Sequence, residues 1–129
     1  MNTLPLQITS LISTEHISYL QGVCEGVSLG CLVIDTPLTS PQLCVGTLLT
    51  VGFKETEVTL FTSPPHTLGN LLPCVLKTWE KGDVMTHLIL AFGVHTIHAL
   101  VATPLLPPLT PECSLWASIP PHHFSILKD

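Results

Sequence analysis

The sequence predicts an all-β protein made of two tandem, small OB-like β-barrels. The main observation is an internal repeat: segment 26–38 returns without a gap as segment 93–105, at a constant offset of 67 (26 to 93, 38 to 105), with Gly, Val, Thr, Pro and Leu in register. The chain of 129 residues therefore divides into two units, expected at residues 1–63 and 67–129. Units of roughly 60 residues are only marginally stable alone, so we expect them to pack on each other or on other subunits.

Short strands are favoured over helices along the whole chain. The twelve prolines are scattered, and no apolar stripe keeps a helical period for three turns. Segments rich in β-branched residues predict strands at 6–12, 17–24, 31–35, 47–53 and 56–61, then at 74–79, 84–92, 96–102, 114–119 and 123–127. Five short strands per unit, joined by Gly and Pro turns, are the strand count of an OB-like barrel.

Local patterns refine these elements. Segment 56–60, Thr-Glu-Val-Thr-Leu, alternates polar and apolar residues, which is typical of a strand with one solvated face. Segment 81–83 is a turn signal in which Gly82 can take a positive φ. Segment 63–66, Ser-Pro-Pro-His, cannot continue a ladder and is the expected linker, and segment 104–111 is a loop for the same reason, with room for one helical turn.

The composition indicates a cytoplasmic protein that associates with itself. Apolar residues make up 46% of the chain and charged residues only 10%, so much of the surface must be apolar or neutral. No apolar run approaches the ~20 residues of a membrane-spanning helix, and the start of the chain lacks the basic residues of a signal peptide. The five cysteines form no Cys-x-x-Cys pair, which favours reduced thiols.

Two classes of function are disfavoured by what the sequence lacks. It has no arginine and only four lysines, with a net charge of −5, so a nucleic-acid partner is not expected. No nucleophile elbow, phosphate loop or ordered pair of carboxylates occurs, so the sequence does not predict an enzyme.

Four segments carry a resemblance to a known family. They are segment 45–58 (Val-Gly-Thr-Leu-Leu-Thr-Val-Gly-Phe-Lys-Glu-Thr-Glu-Val), segment 67–75 (Thr-Leu-Gly-Asn-Leu-Leu-Pro-Cys-Val), and segments 80–84 and 98–103. In order and spacing the chain resembles the TOBE or Mop-type molybdate- and tungstate-binding domains, in the tandem di-Mop arrangement of the small molbindins. The resemblance implies a homo-oligomer, most simply a trimer, that binds molybdate or tungstate without catalysis and acts in storage, buffering or homeostasis.

The resemblance also implies which residues hold the oxyanion. In that family the anion lies where protomers meet and is bound by backbone N–H groups, hydroxyls and lysine, a donor set that suits a tetrahedral dianion. The match assigns the charged donor to Lys54, hydroxyl donors to Thr56 and Thr67, further donors to Gly69 and Asn70, and the positions near the family threonine to Thr36 and Thr103.

Three departures from the family pattern indicate fewer or altered sites. Gly69 stands where the family has Arg, and Pro120 stands where the second unit would have its Lys. Proline offers neither a charge nor an N–H. The first unit is expected to lack an opening motif, because the chain begins at Met1.

Other interpretations remain open at this stage. Lys54 can be an ordinary solvated lysine, and the chain can be a degenerate Mop module that serves as an oligomeric interaction or regulatory protein. A histidine-based divalent metal binder is a third possibility, through His122 and His123, whose imidazoles could also replace the missing lysine as anion donors. His95 and His98 lie three apart, which in a strand places them on opposite faces and argues against a shared metal.

Overall fold

In the residues that it describes, 1–66 and 69–127, the computed structural model has ten strands and three short 3₁₀ turns. The first half of the chain contains β1 (Asn2–Ser13), β2 (Ser18–Cys24), β3 (Val27–Val33), β4 (Leu48–Phe53), the turn η1 (Glu55–Glu57) and β5 (Thr59–Phe61). The second half contains β6 (Asn70–Lys81), β7 (Met85–Phe92), β8 (His95–Ala102), the turn η2 (Thr103–Leu105), β9 (Ser114–Ile119), the turn η3 (Pro121–His123) and β10 (Ser125–Leu127). The predicted all-β class is confirmed.

The strands form two five-stranded sheets that are antiparallel in every assigned ladder. The first has the order β10-β4-β1-β2-β3 and the second has the order β5-β9-β6-β7-β8. Both sheets follow the OB-like pattern of a curled meander closed by short strands. Within the described residues no ladder joins β3 to β10, so the first sheet is not a closed barrel.

Alternating burial along the strands places each sheet's core on one face. In β1 the buried residues are every second one, including Leu4, Leu6 and Ile8, and β6 buries Leu72 and Leu76 in the same way. Successive side chains of a strand point to opposite faces, so this pattern follows directly from the extended backbone. Burying a leucine of this kind stabilises the fold by roughly 1.5–3 kcal/mol.

The closing strand of each half pairs in the sheet of the other half. Thr59 of β5 lies opposite Ser118 of β9, and Ser125 of β10 lies opposite Gly52 of β4. The compact units are therefore residues 1–2 with 54–119, and residues 3–53 with 120–129. They do not coincide with the repeat units 1–63 and 67–129, because a repeat identifies equivalent strands but not the copy with which each strand pairs.

The repeat is present strand for strand, but its offset changes along the chain. The hairpin between β2 and β3 corresponds to the hairpin between β7 and β8 at an offset of 68 (24 to 92, 27 to 95), whereas the closing strands correspond at 66 (52 to 118, 59 to 125). Glu25 and Gly26 both have positive φ, 52° and 73°, while the second hairpin has Gly93 alone at 57°. The two hairpins thus differ in turn type, so the glycines aligned by sequence do not occupy the same turn position.

Two local predictions are wrong. Residues 55–57 form the turn η1 rather than the start of a strand, because the Glu57 N–H donates to the Lys54 carbonyl at 3.0 Å. Gly82 does not take a positive φ. Its N–H donates to the Met85 carbonyl oxygen at 3.0 Å, and that oxygen lies so close that a Cβ at position 82 would overlap it.

The predicted loop after β8 does contain a helical turn, η2. All five cysteines are free thiols, and burial raises the pKa of Cys31 and of Cys74 to about 12, which leaves these two thiols unreactive. Within the described residues, no helix is long and apolar enough to span a membrane.

Candidate functional site

Lys54 and Thr56 lie at the short turn η1, where the chain passes from the first sheet to the second. Lys54 follows the buried Phe53 in extended conformation, with φ −78° and ψ 151°, and directly precedes the turn. Both Lys54 and Thr56 are exposed to solvent. Their ammonium and hydroxyl groups are therefore available to a ligand that approaches from outside the chain.

The start of the chain lies in the same compact unit as η1 and is fixed by the side chain of Asn2. Asn2 Nδ2 donates to the His98 carbonyl at 2.8 Å, and the His98 N–H donates to Asn2 Oδ1 at 2.8 Å. Since β8 is the last strand of its sheet, Asn2 satisfies backbone groups that would otherwise lack a neighbouring strand. The Met1 ammonium lies 2.6 Å from Glu55 Oε1 on η1, and this hydrogen bond lowers the pKa of the Glu55 carboxyl.

Asn2 shows that the first unit keeps the end of the opening segment. Segment 2–5, Asn-Thr-Leu-Pro, corresponds to segment 70–73, Asn-Leu-Leu-Pro, at the offset of 68 that holds for the first three strands (2 to 70, 5 to 73). Asn2 and Asn70 are both almost fully buried, at 3% and 6% exposure. The signal was present in the sequence as a repeated Asn-x-Leu-Pro, but it lies outside the 67-residue register.

The remaining residues of the opening segment lie at the same end of the second sheet as η1. Asn70 lies opposite Ile119, and the next row across the sheet joins Leu71, Ser118 and Thr59. Because η1 ends just before β5, the sheet carries the start of β6 and the Lys54 turn at one end. Gly69 directly precedes β6 and is half-buried. The predicted donor Thr67 lies outside the described residues.

Thr103 is at the other end of β6 and its hydroxyl is used within the fold. Thr103 Oγ1 donates to the Gly82 carbonyl at 2.7 Å and lies 2.9 Å from Thr86 Oγ1. Gly82 directly follows β6, whereas Asn70 begins it. The Thr103 hydroxyl is therefore already hydrogen-bonded within its own unit.

Thr36 belongs to the other compact unit, and its hydroxyl differs from that of Thr103 in its hydrogen bonding. Its backbone closes a turn, since the N–H groups of Thr39 and Ser40 donate to its carbonyl at 3.0 and 2.7 Å. Its side chain is 3% exposed, and Oγ1 makes no hydrogen bond to the described residues. A buried hydroxyl left without a partner costs about 1–3 kcal/mol, so this atom is suited to meet a ligand or a water.

The turn η3 occupies the place in the second half that η1 occupies in the first. Pro120 stands at the position of Lys54 at the offset of 66, extended like it with φ −60° and ψ 145°. His122 and His123 follow on the turn, with their rings edge to face at 4.2 Å. The backbone shape is thus kept while the lysine is replaced.

The two sheets and their turns define an all-β, OB-like architecture, in which a lysine-bearing turn is the strongest candidate for a binding site. No family model matches the chain, and no curated protein matches it. Among solved structures, the chain is similar to the cytoplasmic molybdate-binding protein ModG, in a crystal form grown from PEG with molybdate bound. The TM-score is 0.86 at 23% sequence identity, over 97% of this chain and 94% of that chain. The two proteins share a fold over nearly their whole length.

Proposed function

We propose that this protein binds a tetrahedral oxyanion, molybdate or tungstate, reversibly and without catalysis, and that it acts in storage, buffering or homeostasis in the cytoplasm. The observation that carries the proposal is the full-length similarity to ModG, which is a cytoplasmic molybdate-binding protein. The sequence resemblance to Mop-type domains, made on separate segments, points to the same ligand class.

The chemistry of the Lys54 turn suits such a ligand. A dianion needs several converging donors and a modest positive charge, and Lys54 with Thr56 offers one ammonium and one hydroxyl at an exposed turn. Backbone N–H groups near Gly69 and the side chain of Thr67 complete the proposed donor set. The second site, next to η3, would lack the ammonium because Pro120 replaces lysine.

We propose further that the protein is a homo-oligomer, most simply a trimer, with the anion shared between protomers. Large apolar side chains are unusually exposed for so small a protein, among them Leu38 at 91%, Ile34 at 85%, Val94 at 86% and Leu105 at 77%. Such surface normally lies in an interface. Light scattering is expected to give a multiple of the chain mass, and a stable monomer at micromolar concentration would contradict this part of the proposal.

The decisive experiment is calorimetric titration with molybdate, tungstate and sulfate. Lys54→Ala should weaken binding more than tenfold, since a hydrogen bond between charged groups is worth roughly 1.5–3 kcal/mol. Lys77→Ala is the matched control, because Lys77 is an exposed lysine paired with Glu112 at 3.0 Å. If both variants bind like the parent, Lys54 is not a ligand.

A second function is favoured by one specific observation. Gly69 and Pro120 replace the two basic residues of the family pattern, and nothing in the described turns restores both charges. A protein that keeps the fold and oligomerises but binds none of the three oxyanions would be an interaction or regulatory module derived from an oxyanion-binding domain. The same titration, run beside light scattering, distinguishes the two functions.

A further inference from the structure

Two histidines that are distant in sequence meet on the outer face of the second sheet. His87 of β7 and His98 of β8 have stacked rings, with centroids 5.1 Å apart and planes at 18°, and Nε2 of the first lies 2.9 Å from Nδ1 of the second. In the ladder His98 lies opposite Ile89, two residues along from His87, so the two side chains are diagonal neighbours on one face. The sequence pairing considered above, His95 with His98, is not the one that the sheet brings together.

The backbone that carries His98 is held on both sides. The ladder with β7 fixes one edge of β8, and the Asn2 side chain binds the His98 N–H and C=O on the other edge, both at 2.8 Å. A histidine whose backbone is fixed in this way loses little conformational freedom when its side chain binds an ion.

The spacing of the two ring nitrogens fits a shared metal ion. Imidazole nitrogens bind divalent transition metals at roughly 2.0–2.1 Å. Two nitrogens 2.9 Å apart, each at that distance from one ion, subtend an angle of about 90° at the ion. This is the angle between adjacent ligands in the tetragonal geometry of Cu²⁺ and Ni²⁺. In the structure the two nitrogens face each other across a hydrogen bond, with ring centroids 5.1 Å apart, so both rings would turn toward the ion to bind it.

The surroundings favour a cation and leave space for its other ligands. A cavity of about 330 Å³ opens beside His87 and is lined also by Thr78, Trp79, Glu80 and Ile89. Glu80 lies directly opposite His87 in the neighbouring ladder, so its carboxylate is on the same face. Within the described part of the chain, no third His, Cys, Asp or Glu completes a cluster of ligands, so water would occupy the remaining positions.

We propose that His87 and His98 form a binding site for one divalent transition-metal ion, Cu²⁺ or Ni²⁺. The first sheet has no second copy of the site. At the offset of 68, the equivalent positions are Tyr19 and Gly30 (19 to 87, 30 to 98), and neither supplies an imidazole. The expected stoichiometry is therefore one ion per chain. The proposal is independent of the oxyanion function.

The test is titration of the whole protein with Cu²⁺ and with Ni²⁺, followed by calorimetry and, for Cu²⁺, by electron paramagnetic resonance. The parent should bind one ion per chain with hyperfine coupling from two nitrogens, and His87→Gln or His98→Gln should weaken binding at least tenfold. The matched control is the double variant His122→Gln, His123→Gln, which removes the other adjacent histidine pair and should bind like the parent.

A second measurement needs no substitution. Substoichiometric Cu²⁺ added to the isotope-labelled parent should broaden the imidazole resonances of His87 and His98 before those of His122 and His123. Unchanged metal affinity in His87→Gln, loss of binding in the His122, His123 control, or first broadening at that control pair would each overturn the proposal. Molybdate titration of His87→Gln should match the parent, which separates this site from the oxyanion site.

Discussion

At the scale of single residues, the two halves have diverged at one pair of equivalent positions. The first sheet has Tyr19 and Gly30 where the second sheet has His87 and His98. Tyr19 lies across Gly30, so close that a Cβ at position 30 would overlap the tyrosine hydroxyl and lie 2.7 Å from Cζ. Gly30 is thus required for the packing of Tyr19 and not for a left-handed backbone, since its φ is not positive.

Gly30→Ala should therefore be destabilising only while the tyrosine is present. In the parent the half-exposed tyrosine ring must shift out of its preferred rotamer, so the overlap should lower the free energy of unfolding by about 0.5–1.5 kcal/mol. In a Tyr19→Ser background the same change should be neutral or stabilising, because alanine restricts the unfolded chain more than glycine does. Urea denaturation of the four proteins of this double-mutant cycle measures the coupling. Equal costs in both backgrounds would show that the glycine is needed for another reason.

Residue identities pointed to Lys54 as a candidate ligand but not to the histidine pair. Lys54 and Thr56 could be singled out because they fall within one short segment whose spacing resembles a known motif. His87 and His98 are joined only by strand register, which depends on the two-residue turn between β7 and β8. Sequence spacing within one strand, the basis on which His95 and His98 were compared, contains no information about cross-strand neighbours.

At the scale of elements, the residues of the turn η3 lead to a prediction that does not apply to η1. If an oxyanion binds beside η3, its positive charge must come from His122 or His123, because Pro120 has none. Oxyanion binding that remains in Lys54→Ala should therefore depend on these two imidazoles. Calorimetry of Lys54→Ala isolates the η3 site from the η1 site.

The control for this prediction is the double variant His122→Ala, His123→Ala. Combined with Lys54→Ala, it should abolish the remaining binding, while alone it should leave binding at the Lys54 site intact. Oxyanion binding that survives in the combined variant would show that the histidine pair has no role in binding the anion.

All ten strands were predictable from β-branched segments, whereas their ends were not. β1 and β6 each extend over 12 residues, well beyond the apolar segments that predicted them. The turn η1 interrupts a segment that was predicted to be strand, since the alternation at 56–60 continues through a turn closed by one backbone hydrogen bond. An alternation of polar and apolar residues indicates which side chains are buried. A short turn can bury the same side chains without pairing in a ladder.

At the scale of the whole molecule, the pairing of closing strands across the halves predicts that neither half folds alone. A fragment of residues 1–63 lacks β10, the partner of β4, and leaves β5 without β9. Each of the fragments 1–63 and 64–129 should show poor dispersion in NMR spectra, and mixing them should restore the dispersion of the intact chain. A well-dispersed spectrum from fragment 1–63 alone would contradict this pairing.

The existence of two repeats was predictable from the sequence, but the exchange of their closing strands was not. β5 reads Thr-Leu-Phe and β10 reads Ser-Ile-Leu, so both present one polar residue followed by two apolar ones. Either strand offers either sheet the same pattern of hydrogen bonds and buried side chains. The choice depends on how the chain travels after residues 53 and 119, which local patterns do not encode.

The interchange of β5 and β10 also limits how this gene can lose a part. The second half has Pro120 at the position of Lys54, yet it still supplies the strand that pairs with β4 and receives the strand that follows Lys54. A deletion that removed this half would strip both sheets at once. Each sheet therefore depends on both halves of the chain, whichever residues its turn carries.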